Sequence, residues 1–163
     1  MTYFTPSKKE EIIQKLFLWF FLLMVVAYVL SSIVLNQQFS LLADSFLKGK
    51  LYFSTPPDNK IDLVLKDGKF FWHLSPFPAV LLMPFAFITS LFGTIFPQNL
   101  AHLALVIGTY FLIFKIALDY KFSLKAAYYM AFGFCFASVY LYVAFTPESW
   151  YFSHAVAVFF LFP

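Results

Sequence analysis

Arginine is absent: all eleven basic side chains of this 163-residue chain are lysines, and charged residues of either sign make up only 12%. A chain this poor in charge falls well short of the charged share of soluble domains, which is about a quarter. Any phosphate must be held by compact ammonium groups or backbone amides, because no guanidinium fork is present. Cysteine is nearly absent too. The single Cys135, between Phe134 and Phe136, excludes a disulfide framework or cysteine metal site within one chain and reads as a packed or lipid-facing side chain. No glycine-rich phosphate loop, nucleophile elbow or zinc helix occurs, so soluble-enzyme chemistries lack support and no nucleic-acid partner is expected.

What the chain has is apolar length. Hydrophobic residues make up 62% and aromatic ones 23%, and the mean hydropathy is +0.81. The expected class is all-α, a multi-spanning transmembrane helical bundle, with the lipid bilayer as partner and four or five passes of ~20 residues each. Residues 1–15 form a lysine-bearing cytoplasmic N-terminus, because Lys8, Lys9 and Lys15 precede the first apolar run. Residues 16–35 form the first transmembrane helix, too long for a signal-peptide core. Residues 36–77 form an extracytoplasmic loop with a short interfacial helix, and 78–163 hold further transmembrane segments. The last of these stops about thirteen residues after Tyr151, which reads as truncation of a fragment.

Within the loop, Phe39, Leu42, Phe46 and Leu47 repeat at helical spacing while Asp44 and Lys48 stand four apart on another side. Gly49 ends that helix, STPPDNK is a turn signal, and LVLKDGKFFW predicts a hairpin around Asp67-Gly68. Residues 70–114 carry no Asp, Glu, Lys or Arg and are interrupted by GTIFPQN at 93–99, which predicts two apolar segments joined by a tight turn. Lys115, Asp119, Lys121 and Lys125 mark a polar connection, and 126–146 reads as another apolar stretch. Three crossings between the first loop and Pro147 put Glu148 inside, whereas the lysines at 115–125 favour a cytoplasmic connection. A single crossing plus a re-entrant or interfacial piece within 78–118 reconciles them.

Asp44 is the candidate general base, a carboxylate beside hydrocarbon; its alternative is a surface pair with Lys48 worth roughly 0.3–0.5 kcal/mol. Glu148 is a second candidate, or else a solvated acid at a helix N-terminus. His73, His102 and His154 have no i, i+3 or i, i+4 spacing, so no histidine metal site is expected. Trp19, Trp72 and Trp150 read as interface anchors.

The segment LLADSFLKGKLYFSTPPDNKIDLVLKDGKFFWHLSPFPAVLLMPFAFI resembles, as a whole, the multi-spanning glycosyltransferases of the GT-C superfamily, which include protein mannosyltransferases and lipid A aminoarabinose transferases. The resemblance implies transfer of a sugar from a polyprenyl-phosphate donor to an acceptor hydroxyl on the extracytoplasmic side of a membrane such as the bacterial inner membrane. It implies an acid after the first helix, matched by Asp44, then a proline-led second helix, matched by Pro76 to Pro84. It also implies a second acid in the next outer loop, matched by position in Glu148. Where relatives often place an arginine near phosphate, Lys48, Lys50 and Lys69 stand in as point charges. Cofactors are left open, since some relatives use a divalent metal and others none. A non-enzymatic transporter subunit or assembly partner is the alternative, and a polymerase or flippase-like handler of lipid-linked sugars is a third.

Overall fold

The computed structural model describes residue 12, residues 37–60 and residues 62–161; the expected first span at 16–35 and the lysines before it lie outside these. The described chain is mostly helical, with one two-stranded sheet. Helix α1 is Gln38–Leu47, the short helix expected of the loop. Phe39, Leu42 and Ala43 are buried, whereas Phe46 is half-buried and Leu47 exposed. The helix therefore packs one face into the protein, chiefly against the helix at 77–90. It ends at Gly49, whose φ of +69° lets its amide reach Phe46 and the Lys50 amide reach Ser45, a Schellman closure.

The hairpin pairs β1, Leu63–Lys66, with β2, Lys69–Trp72, antiparallel and in the register Leu63↔Trp72 to Lys66↔Lys69. Asp67 and Gly68 both adopt positive φ, 50° and 71°, the geometry of the primed turns whose twist matches paired strands. Alternation directs Leu63, Phe70 and Trp72 against the core, while Val64, Lys66, Lys69 and Phe71 line the opposite face.

Helix α2, Phe77–Ser90, has fourteen residues and an internal Pro84, so it is about 21 Å long. Its closing turn repeats the Schellman pattern, with Gly93 at φ +68° and the Gly93 and Thr94 amides on Ser90 and Thr89; this is the interruption expected at 93–99. Helix α3, Gln98–Asp119, runs twenty-two residues, about 33 Å. It is the one helix among the described residues long and apolar enough to cross a membrane, and only 28% of its most apolar window is buried. The apolar stretch expected at 126–146 is in fact two helices, α4 (Leu124–Phe136) and α5 (Tyr140–Phe145). The hydroxyl of Ser138 divides them, donating to the Phe134 carbonyl at 2.6 Å and accepting the Tyr140 amide at 3.1 Å, so a side chain replaces the backbone bonds of a continuous helix. Helix α6, Ser149–Leu161, starts two residues earlier than Tyr151.

The core gathers Phe39, Leu42, Ala79, Leu82, Ala86, Leu105, Phe152 and Ala155. Its alanines let the helices approach closely. A second cluster joins Val106, Cys135, Tyr140 and Ala144; Cys135 is packed, and Tyr140 donates its hydroxyl to Thr109 at 3.4 Å.

The contacts also give the path of the chain. Helices α3 and α6 run side by side in one direction: Gln98 touches Ser149, His102 lies 6.1 Å from Phe152, and Gly108 faces Phe159. Helix α2 begins next to Phe160, where Phe77 packs at 5.5 Å. The chain leaves the start of α6 at His73, whose ring lies 5.1 Å from Trp150, and is back there at Gln98, bonded to Ser149. The whole excursion through α2 thus begins and ends at one end of the bundle. Helix α3 then travels the full length to the connection at 119–125, and α4 and α5 return, since the Pro147 carbonyl accepts from Gln98 Nε2 at 3.2 Å.

Candidate functional site: the shared end of three helices

Helices α1, α3 and α6 all begin at one place, and each brings unsatisfied backbone N–H groups there. Glutamine and serine side chains meet the need. Gln98, fully buried, accepts the Phe39 amide through Oε1 at 3.1 Å, and its own amide donates to Gln37 Oε1 at 3.3 Å, so α1 and α3 cap one another. Nε2 of the same side chain donates to the Pro147 carbonyl and to Ser149 Oγ, and Ser149 donates to Gln38 Oε1. Buried amides are tolerated when their hydrogen bonds are made, and these bonds tie the loop helix to the starts of α3 and α6.

A second tie lies at the base of the hairpin. Asp62, at φ 71°, accepts the Trp150 indole N–H through Oδ2 at 3.2 Å. Its carbonyl contacts His73 Nδ1 at 2.6 Å, and because a carbonyl only accepts, Nδ1 carries the proton. His73 is wedged between Trp72 and Trp150, 5.1 Å from each ring. Trp150 is partly exposed and fastens the hairpin to α6, while Trp72 packs on Phe39 in the core. Trp19 lies outside the described residues.

Asp44 stands on α1 with its carboxylate 2.6 Å from Lys48 Nζ, both partly exposed. The next residue, Ser45, accepts the Ser54 amide at 2.9 Å, and Phe53 donates to the Phe70 carbonyl at 2.9 Å. The end of α1, the segment 50–54 and β2 are therefore one hydrogen-bonded unit. On it Lys69 Nζ lies 4.6 Å and Lys50 Nζ 5.9 Å from the centroid of Tyr52. Of the three lysines read as anion ligands, Lys50 and Lys69 each stand against the Tyr52 ring and Lys48 pairs with Asp44. Glu148 is half-buried and directly precedes Ser149 of the glutamine network; its carbonyl accepts the Phe152 amide at 2.8 Å. Asp44 thus lies on α1 and Glu148 just before α6, two helices joined at their first residues, Gln38 and Ser149.

Among the described residues no three His, Cys, Asp or Glu side chains come together as a metal site. The residues that sequence reading passed over are Gln37, Gln38, Gln98, Ser149 and Asp62, while His73 is weighed there only as a metal ligand. A signal for the glutamines existed: amides opening apolar segments in NQQF and PQNL. Comparison with protein-family models, curated proteins and solved structures finds no match to this chain.

Proposed function

We propose that these residues belong to an integral membrane glycosyltransferase that moves a sugar from a polyprenyl-phosphate donor to an acceptor hydroxyl on the extracytoplasmic side, in a multi-pass protein of a membrane such as the bacterial inner membrane. The observation that carries the reading is the return of the chain to one end of the bundle. Asp44, on α1, and Glu148, the residue before α6, are the two acids that the family resemblance selects, and the first residues of these two helices are hydrogen-bonded to each other. The connection holding Lys121 and Lys125 lies a full helix length away, about 33 Å along α3.

Membrane placement is supported by the same path. With the excursion through α2 making no net crossing, α3 and the α4–α5 pair make two, and Glu148 falls on the side of the hairpin while the lysines fall on the other. In this reading the cytoplasmic preference of lysine is met, with one crossing and one re-entrant piece before the connection. The short α2 takes the part of a re-entrant piece. Its outer residues, Phe85, Phe87 and Ile88, are about half exposed, an apolar surface suited to lipid.

In this reading Asp44 accepts the proton of the acceptor hydroxyl, the hydroxyl oxygen bonds to the anomeric carbon, and the carbon–oxygen bond to phosphate breaks with its electron pair on the phosphate. Lys48, Lys50 and Lys69 are the cations of this end that meet an anion. The test is a transfer assay on membranes containing the full-length gene product, with a polyprenyl-phosphate sugar as donor. Asp44→Asn lowers turnover at least 100-fold, the lower range for loss of a general base, while protein abundance in the membrane is unchanged. Turnover within a few-fold of the parent defeats the assignment.

The Asp44–Lys48 ion pair favours one other reading, a multi-spanning membrane protein without enzymatic activity, in which Asp44 is a surface pair. In that case Asp44→Asn and Lys48→Met behave alike in every assay, and both resemble the parent.

A further inference from the structure

The outer face of the hairpin, turned away from Trp72 and the core, carries a charge arrangement that the sheet itself opposes. Lys66 and Lys69 are paired directly across the two strands, so both side chains stand on one face. The Cβ atoms of directly opposed residues are about 4.5–5.5 Å apart, and like charges at that distance destabilise a sheet. Asp67 is next to Lys66 in sequence, yet among the described residues neither lysine forms an ion pair. An anion between the two ammonium groups removes the repulsion.

The same face has room for one. Val64, Lys66, Asp67, Lys69 and Phe71 line a recess of about 390 Å³. Lys69 Nζ lies 4.6 Å from the centroid of Tyr52, whose ring is 6.0 Å from that of Phe71. An ammonium held against an aromatic ring keeps N–H donors for an anion on its other side. Phe71 and Val64 supply an apolar wall, and the Asp67 carboxylate is an acceptor only.

These chemistries select the ligand. A phosphate monoester carries close to two charges at neutral pH and three acceptor oxygens, which matches two opposed ammonium groups; a carboxylate carries one charge. Inorganic phosphate alone leaves Asp67 and Phe71 without a role. Hydroxyls donate to Asp67, and the C–H face of a sugar ring packs on Phe71, so a sugar body uses each kind of lining side chain.

We infer that the outer face of the hairpin binds a phosphorylated sugar, with its phosphate between Lys66 and Lys69, its hydroxyls on Asp67 and its ring against Phe71. The site goes beyond the reading above: it shares Lys69 with that reading, adds Lys66, and needs neither Asp44 nor a membrane placement.

The experiment is isothermal titration calorimetry of the full-length protein in mild detergent with glucose 6-phosphate, glucose and inorganic phosphate. Glucose 6-phosphate binds, inorganic phosphate binds several-fold more weakly, and glucose gives no heat. The Lys66→Gln/Lys69→Gln double variant, changed only on the surface, loses about ten-fold or more in affinity through its charge-assisted bonds, and Phe71→Leu loses several-fold. Without ligand, Lys66→Gln slows hydrogen exchange at the Val64 and Phe71 amides, because the like-charge opposition is gone. No binding by the parent protein, parental affinity in the double variant, or inorganic phosphate bound as tightly as glucose 6-phosphate overturns the inference. Tighter binding of a short-chain phosphatidic acid than of glucose 6-phosphate also overturns it, because the phosphate then comes from a lipid. Asp44→Asn leaves the affinity unchanged. A protein that transfers sugar without binding glucose 6-phosphate therefore defeats this inference alone, and one that binds it without transferring defeats the proposed function alone.

Discussion

Gln98 and Phe39 lie fifty-nine positions apart, and the side-chain oxygen of the first accepts the backbone amide of the second at 3.1 Å. One buried amide thereby caps a helix that is not its own, while Gln37 returns the service to the helix that carries it.

Gln98→Leu keeps the volume and removes every polar bond of that side chain. The Phe39 amide and the Pro147 carbonyl each lose a partner, and an unmet buried polar group costs about 1–3 kcal/mol. The expected result is a loss of stability of about 2–4 kcal/mol in detergent, read as a lower melting temperature. Unchanged melting shows that the network adds nothing net.

Helices α3 and α6 touch where Gly108 faces Phe159. A Cβ at 108 stands 2.6 Å from the Phe159 ring, closer than van der Waals contact, so Gly108→Ala sets the clash against a helix-propensity gain of about 1 kcal/mol. In a Phe159→Ala background the clash is gone and only the gain remains. The double-mutant cycle should yield a coupling of about 1 kcal/mol or more; simple additivity contradicts the contact.

Under the proposed membrane placement, the path of the chain predicts which positions share a side. After Cys135→Ala, single cysteines replace Lys66, Ile95 and Tyr120 in turn. Lys66→Cys and Ile95→Cys react with an impermeant maleimide applied to intact cells, and Tyr120→Cys reacts only once the membrane is opened. If Ile95→Cys instead behaves like Tyr120→Cys, α2 crosses and the re-entrant reading fails.

At the hairpin tip, Gly68 holds φ +71° with open space around it, so only backbone strain opposes a side chain there. Gly68→Ala costs about 1 kcal/mol. The loss appears as faster hydrogen exchange at the Val64 and Phe71 amides, which face each other across the ladder, with the helices unaffected. Exchange at the parental rate argues against the primed turn.

The local features were legible from neighbouring residues alone. Asp67-Gly68 specified its turn because few residue pairs accept two positive φ angles in succession. Gly49 and Gly93 marked helix ends for the same steric reason, and the uncharged run at 70–114 split where proline and glycine fell together. Asp44 and Lys48 at a spacing of four already implied the ion pair that forms. Tertiary structure decided everything that depended on which end of the bundle each element starts from. The division of 126–146 at Ser138, the bond from Ser149 to Gln38 across 111 positions and the meeting of Asp62 with Trp150 across 88 leave no periodic trace. They arise because buried amides and hydroxyls must find partners once the apolar faces have packed, and which partner is nearest depends on the packing rather than on any stretch of neighbouring residues.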